Sequence, residues 1–118
     1  VARLATCGPH VVPVTFALEG DVIVTAVDHK PKTTRRLRRL DNIAADPRVS
    51  LLVDHYEENW EKLWWVRADG AARVVDEWPS EVLVAKYPQY REMPPDGPFI
   101  VIDVHLWRGW SALRQDGF

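Results

Sequence analysis

The chain has 118 residues, a formal charge of -2, six Trp and a single Cys. At 47% hydrophobic and 27% charged residues it is expected to fold as one domain over 1–118, which excludes a disordered chain. The lone Cys excludes an internal disulfide or a multi-Cys zinc site and points to a reducing cytoplasm, and no apolar run or signal-peptide pattern indicates a membrane span or export.

Val11, Val12, Val14 and Phe16 form a β-rich run after Gly8-Pro9, with Pro13 marking an edge or a bulge. Glu19-Gly20-Asp21 signals a turn before a second run, Val22 to Val27, and the two runs are expected to pair as a hairpin. Pro31 interrupts the chain, and Thr33 or Thr34 is a suitable helix N-cap. Leu37, Leu40 and Ala44 then recur on one helical face, which Asp46-Pro47 terminates. Val49 to Tyr56 reads as a strand and Glu57 to Glu61 as an acidic loop. Leu63 to Val75 is a longer strand region in which Asp69-Gly70 makes either a hairpin turn or a bulge. Trp78 to Tyr90 is a shorter helix, Pro94 to Pro98 a stiff loop, and Phe99 to Leu106 the last strand. About six strands and two short helices predict a mainly β fold, a compact β-barrel or curled sheet with short helices.

The charge is unevenly placed. Lys30, Lys32, Arg35, Arg36, Arg38 and Arg39 fall within ten acid-free positions, leaving nine basic against seventeen acidic residues elsewhere. Such a dipolar layout favours a focused anion site, and the acidic remainder opposes nucleic-acid binding. On the predicted helix, Arg35, Arg38, Arg39 and Asn42 share a face opposite Leu37, Leu40 and Ala44. With Lys30 and Lys32 ahead of its first turn, that face can cradle phosphate; a solvated basic face is the alternative.

Trp64 and Trp65 are consecutive on a strand, so their side chains must point to opposite faces. Six Trp exceed what a small core needs, which suits stacking on a flat ligand or burial in an interface. His10, His29, His55 and His105 have no metal-ligand spacing, and no hydrolase or nucleotide-loop signature is present. No catalytic residue is assignable. A phosphate cradle and flat aromatics without an acid–base pair suit an enzyme whose cofactor carries the chemistry.

Three segments carry a family resemblance: Asp28-His29-Lys30-Pro31-Lys32, Leu37 to Ile43 and Asp46 to Val53. With Trp64 to Gly70, Tyr87 to Arg91 and Trp107 to Ser111, they make the chain resemble the split β-barrel flavin- and deazaflavin-dependent oxidoreductases, which include pyridoxamine 5′-phosphate oxidase. Its Trp-rich segments resemble those of an actinobacterial branch assigned to coenzyme F420. The resemblance implies a split β-barrel of the FMN-binding-protein type and a homodimer with cofactor sites at the subunit interface. It implies cofactor contacts from Thr25, Ala26 and Val27, phosphate contacts from Arg38 and Arg39 with Asn42 nearby, and charge from Lys30 and Lys32. Trp64 or Trp65, from the partner subunit, would pack near the cofactor ring. The implied activity is hydride reduction of an organic acceptor by reduced F420. An FMN-dependent oxidase or reductase and a non-catalytic cofactor-binding protein are the alternatives. The Thr6 to His10 and Val75 to Glu81 connections are shorter than is usual in the branch.

Overall fold

The computed structural model describes residues 1–27, 38–79, 81–95 and 97–113. β1 (Ala2–Thr6) buries Ala2, Leu4 and Thr6 and turns Arg3 outward, the two-residue period of a strand with one face in a core. β2 (His10–Val14) returns across the short Cys7-Gly8-Pro9 turn, in which Gly8 has a φ of 90° that favours Gly. β3 (Ala17–Glu19) and β4 (Val22–Ala26) make a second hairpin about Gly20-Asp21. After α1 (Arg38–Ala45) come β5 (Arg48–His55), a 3-10 turn at Trp60–Lys62, β6 (Trp64–Val75), α2 (Glu81–Lys86), α3 (Gln89–Glu92) and β7 (Phe99–Ser111). All seven strands join one antiparallel sheet in the order β2-β1-β5-β6-β7-β4-β3. The fold is mainly β, a curled sheet with short helices.

The details depart from expectation in five places. The runs at 11–16 and 22–27 do not pair with each other: β2 pairs with β1, and β4 with the three-residue β3. Ala2 and Ala5 give β1 little intrinsic strand preference, so the partner strand was not evident. Pro13 does lie on an edge strand, the position that tolerates a missing N–H. The helix expected over 78–90 is two helices parted at Tyr87-Pro88, because Pro88 has no N–H and disfavours helical backbone just before it. β7 runs on to Ser111 and takes in the Trp107 to Trp110 segment. Seven strands and three α-helices therefore stand among the described residues where about six and two were expected. Ala44 is exposed, and Leu40 and Ile43, three residues apart, face the sheet instead.

Asp69-Gly70 is a bulge within one continuous strand. Asp69 lies opposite Leu106 and Gly70 opposite Val104, leaving His105 as the extra residue on β7. A Cβ on Gly70 would run into the Asp103 carbonyl oxygen, so this approach of two backbones requires Gly.

Apolar clusters pack on both faces of the sheet. The inner one gathers Leu4, Ile23, Leu51, Ile100 and Ile102 with Ile43 of α1. The other sets Val24, Phe99 and Val101 beneath Leu83 of α2 and Tyr90 of α3. The tyrosine hydroxyls tie these helices down: Tyr87 accepts from the Phe16 N–H at 3.1 Å, and Tyr90 shares a 2.9 Å bond with Thr15. No described helix is long and apolar enough to cross a membrane.

Candidate cofactor site

α2 and α3 cover the outer face over β3, β4, the end of β6 and the first half of β7. Among the described residues, no helix covers the same face of β1, β5 and the first half of β6. Register places Ser50 opposite Asp69, Leu52 opposite Arg67 and Asp54 opposite Trp65 on this face. Arg108 and Trp110 of β7 continue the rows. Two adjoining cavities of about 560 and 550 Å³ share Ala5 and Ser50. Asp46, Arg48, Asp69 and His105 line the first; Val11, Tyr56, Trp65 and Arg67 line the second.

A polar network joins them. The Ser50 hydroxyl donates to Asp69 Oδ1 at 2.6 Å, and Arg67 donates through Nε and Nη2 to the two carboxylate oxygens at 2.9 and 3.0 Å. Burial works against the Asp69 charge, but the bonds from Ser50 and Arg67, with the charges of Arg67 and Arg108, outweigh it and hold the carboxyl below its ordinary range. Arg67 and Arg108 are direct cross-strand neighbours whose like charges repel, and Asp69 offsets that repulsion. At the α1 end, Arg48 forks onto Asp46 at 2.7 to 3.2 Å and holds its pKa at about 2. Arg48, Ser50, Arg67 and Asp69 fall within the segments that carry the family resemblance, but the sequence assigns none of them a site role. The available signal was polar residues at alternate positions of two strands that happen to pair.

Of the residues expected to bind cofactor, Arg38 on α1 is exposed, and Arg39 and Asn42 are half-buried. Asn42 Nδ2 donates to Thr6 Oγ1 at 3.0 Å, and the Cys7 thiol donates to the Asn42 carbonyl at 3.3 Å, tying α1 to the end of β1. Thr25 and Ala26 are 1% and 6% exposed within the chain, and the half-buried Val27 donates its N–H to Pro98. Lys30 and Lys32, like Arg35 and Arg36, lie outside the described residues. Trp64 and Trp65 do point to opposite faces: Trp64 lines an inner apolar cavity and Trp65 the uncovered outer face.

These groups do not meet in one chain. Ala26 pairs with Phe99, whereas Trp65 pairs with Trp110, eleven residues further along β7. At about 3.3 Å per residue the two ends are on the order of 35 Å apart. β5 likewise begins just after α1 and ends at His55, which lies opposite Trp64. The C-terminal end of α1 and the Trp pair thus lie at opposite ends of β5.

A sequence profile described as pyridoxamine 5′-phosphate oxidase matches residues 1–111. The chain belongs to the pyridoxamine 5′-phosphate oxidase family. Its sheet is the split barrel of that family. Among solved structures, the chain is similar to the conserved hypothetical protein Rv2991 from Mycobacterium tuberculosis, at 21% identity and a TM-score of 0.67, covering 94% of this chain and 76% of that one. It is also similar to an FAD-binding protein from Mesorhizobium loti, at 20% identity and a TM-score of 0.61, covering 92% and 83%. A heme binding protein from Mycobacterium smegmatis shares 20% identity and a TM-score of 0.64 over 99% of this chain and 51% of that one. At these identities the likeness is one of fold. No curated protein matches the chain.

The donor set fits a planar, phosphate-bearing cofactor of the kind this family implies. Arg38 and Arg39 on α1 supply guanidinium groups of the kind that pair with phosphate. Trp65 offers a flat ring beside an open cavity. The two parts are complementary in chemistry and separated in one chain.

Proposed function

We propose that two copies of this chain pair through the uncovered face of β5, β6 and β7 and hold a phosphate-bearing flavin or deazaflavin between them. Arg38 and Arg39 of α1 come from one copy and Trp65 from the other. The observation that carries this is that α1 ends where β5 begins, whereas Trp65 pairs with Asp54 near the other end of β5. Exposed Val11 and Leu106 on the same face supply apolar surface for pairing.

Coenzyme F420 is the preferred occupant, because Lys30 and Lys32 add charge beyond what one phosphate of FMN needs. The bound cofactor supplies the hydride for reduction of an organic acceptor. The chain's own residues bind and orient: Arg38 and Arg39 fix the phosphate end, Asn42 positions α1 against Thr6, and Trp65 packs near the ring. The FAD-binding name of the Mesorhizobium loti neighbour supports a flavin as the second reading. Titration of the purified protein with F420 and with FMN, alongside sedimentation, tests both. Saturable F420 binding at one cofactor per chain in a dimer is expected. FMN binding without F420 binding overturns the cofactor choice, and binding by a monomer overturns the shared site.

A further inference from the structure

The inner face of the sheet holds a cavity of about 230 Å³ that the cofactor proposal does not use. Its floor is Ile23, Leu51 and Ala68, all 3% exposed or less. Its mouth is Leu18, Trp64 and Trp107, which are 53%, 38% and 39% exposed. Every lining residue is apolar or aromatic. Large aromatics left this exposed around an apolar hollow are costly to solvate and gain by meeting an apolar surface.

The mouth is held in place from outside. Trp107 Nε1 donates to Asp21 Oδ1 at 3.4 Å, turning its polar edge outward. Trp64 stacks on His55 with ring centroids 6.3 Å apart and planes 18° from parallel, and His55 is in turn 2.7 Å from Glu57. Fixed rings lose little freedom when a ligand arrives. A dry apolar cavity of about 150 Å³ is sufficient to take benzene.

We infer that this cavity is a binding site for a neutral apolar molecule of one or two rings, which enters between Trp64 and Trp107. A charged or strongly polar ligand is excluded, because no lining group can replace its water. The site lies on the opposite face from Trp65 and Arg67, and its occupancy needs no cofactor.

Toluene and naphthalene are the probes, added to the whole protein without cofactor and read by thermal unfolding and tryptophan fluorescence. Each is expected to bind saturably and, at about a hundredfold excess over Kd, to raise Tm by roughly 8–14 °C. Val66→Phe and, separately, Val53→Phe fill the cavity from two strands; whichever folds is expected to lose at least tenfold in toluene affinity. No ligand-dependent shift in the wild-type protein overturns the inference, as does unchanged affinity in the folded filled variant. A fluorescence change that follows protein concentration alone assigns the mouth to a second copy and also overturns it.

Discussion

Ser50 and Asp69 lie opposite each other on β5 and β6, and the Ser50 hydroxyl donates a 2.6 Å hydrogen bond to the Asp69 carboxylate. Asp69 also receives both arms of Arg67. Removing the acid leaves Arg67 beside Arg108 with nothing to offset their repulsion. Asp69→Ala is expected to lower unfolding stability by about 1–3 kcal/mol, and Ser50→Ala by about 1 kcal/mol, both measured by chemical denaturation. Equal stability of all three proteins would show that the network is only a solvated surface pairing.

The same carboxylate makes stability depend on pH in one direction. Its pKa is lowered on folding, so its contribution is present above the unfolded-chain value, about 3.9, and fades as pH falls through the lower folded value. The stability gap between wild type and Asp69→Asn is therefore expected to be constant from neutral pH down to roughly pH 5 and to close below about pH 4. A gap that widened on acidification would contradict the assignment.

How much of this was legible beforehand depended on range along the chain. The basic run at 30–39 is local, as is the opposition of Trp64 and Trp65, and both were evident from residue order. The Ser50–Asp69 pair depends on a strand register set by residues nineteen apart, which no local periodicity specifies. Which part of the sheet stays uncovered depends on where α2 and α3 land. Pro88 divides these helices, and Tyr87 and Tyr90 anchor them near Phe16 and Thr15, more than seventy positions away. Val11 to Phe16 has two possible neighbours along the chain, and it pairs with β1, the one of weaker strand preference.

Gly70 carries the bulge where two backbones approach most closely. Gly70→Ala places a methyl group against the Asp103 carbonyl, which is backbone and cannot swing away. A cost of at least about 3 kcal/mol is expected, read as a fall in denaturation midpoint or as loss of soluble protein. Gly20→Ala provides the comparison: a Cβ there meets nothing within 4 Å, and only the positive φ of 60° opposes it. Its cost is expected to be about 1–2 kcal/mol. Similar costs for both would argue against a steric origin at the bulge.

Arg38 and Asn42 sit on the same short helix and are expected to fail differently. Arg38→Ala removes an exposed guanidinium, so cofactor affinity falls by about 1.5–3 kcal/mol while Tm is unchanged. Asn42→Ala removes the 3.0 Å bond to Thr6, so stability falls by about 0.5–1.5 kcal/mol. Cofactor binding to the Asn42 variant weakens only as far as α1 loosens. Calorimetric titration and thermal melting of both variants separate the two effects.

The shared site is tested most directly by mixing two defective chains. Arg38→Ala/Arg39→Ala lacks the phosphate end, and Trp65→Ala lacks the ring contact. A mixed dimer of the two has one site with both defects and one with neither. Each variant alone is expected to bind F420 weakly, and the isolated mixed dimer to regain wild-type affinity at one cofactor per two chains. A mixed dimer in which neither site recovers would place Arg38, Arg39 and Trp65 in the site of a single chain and contradict the account.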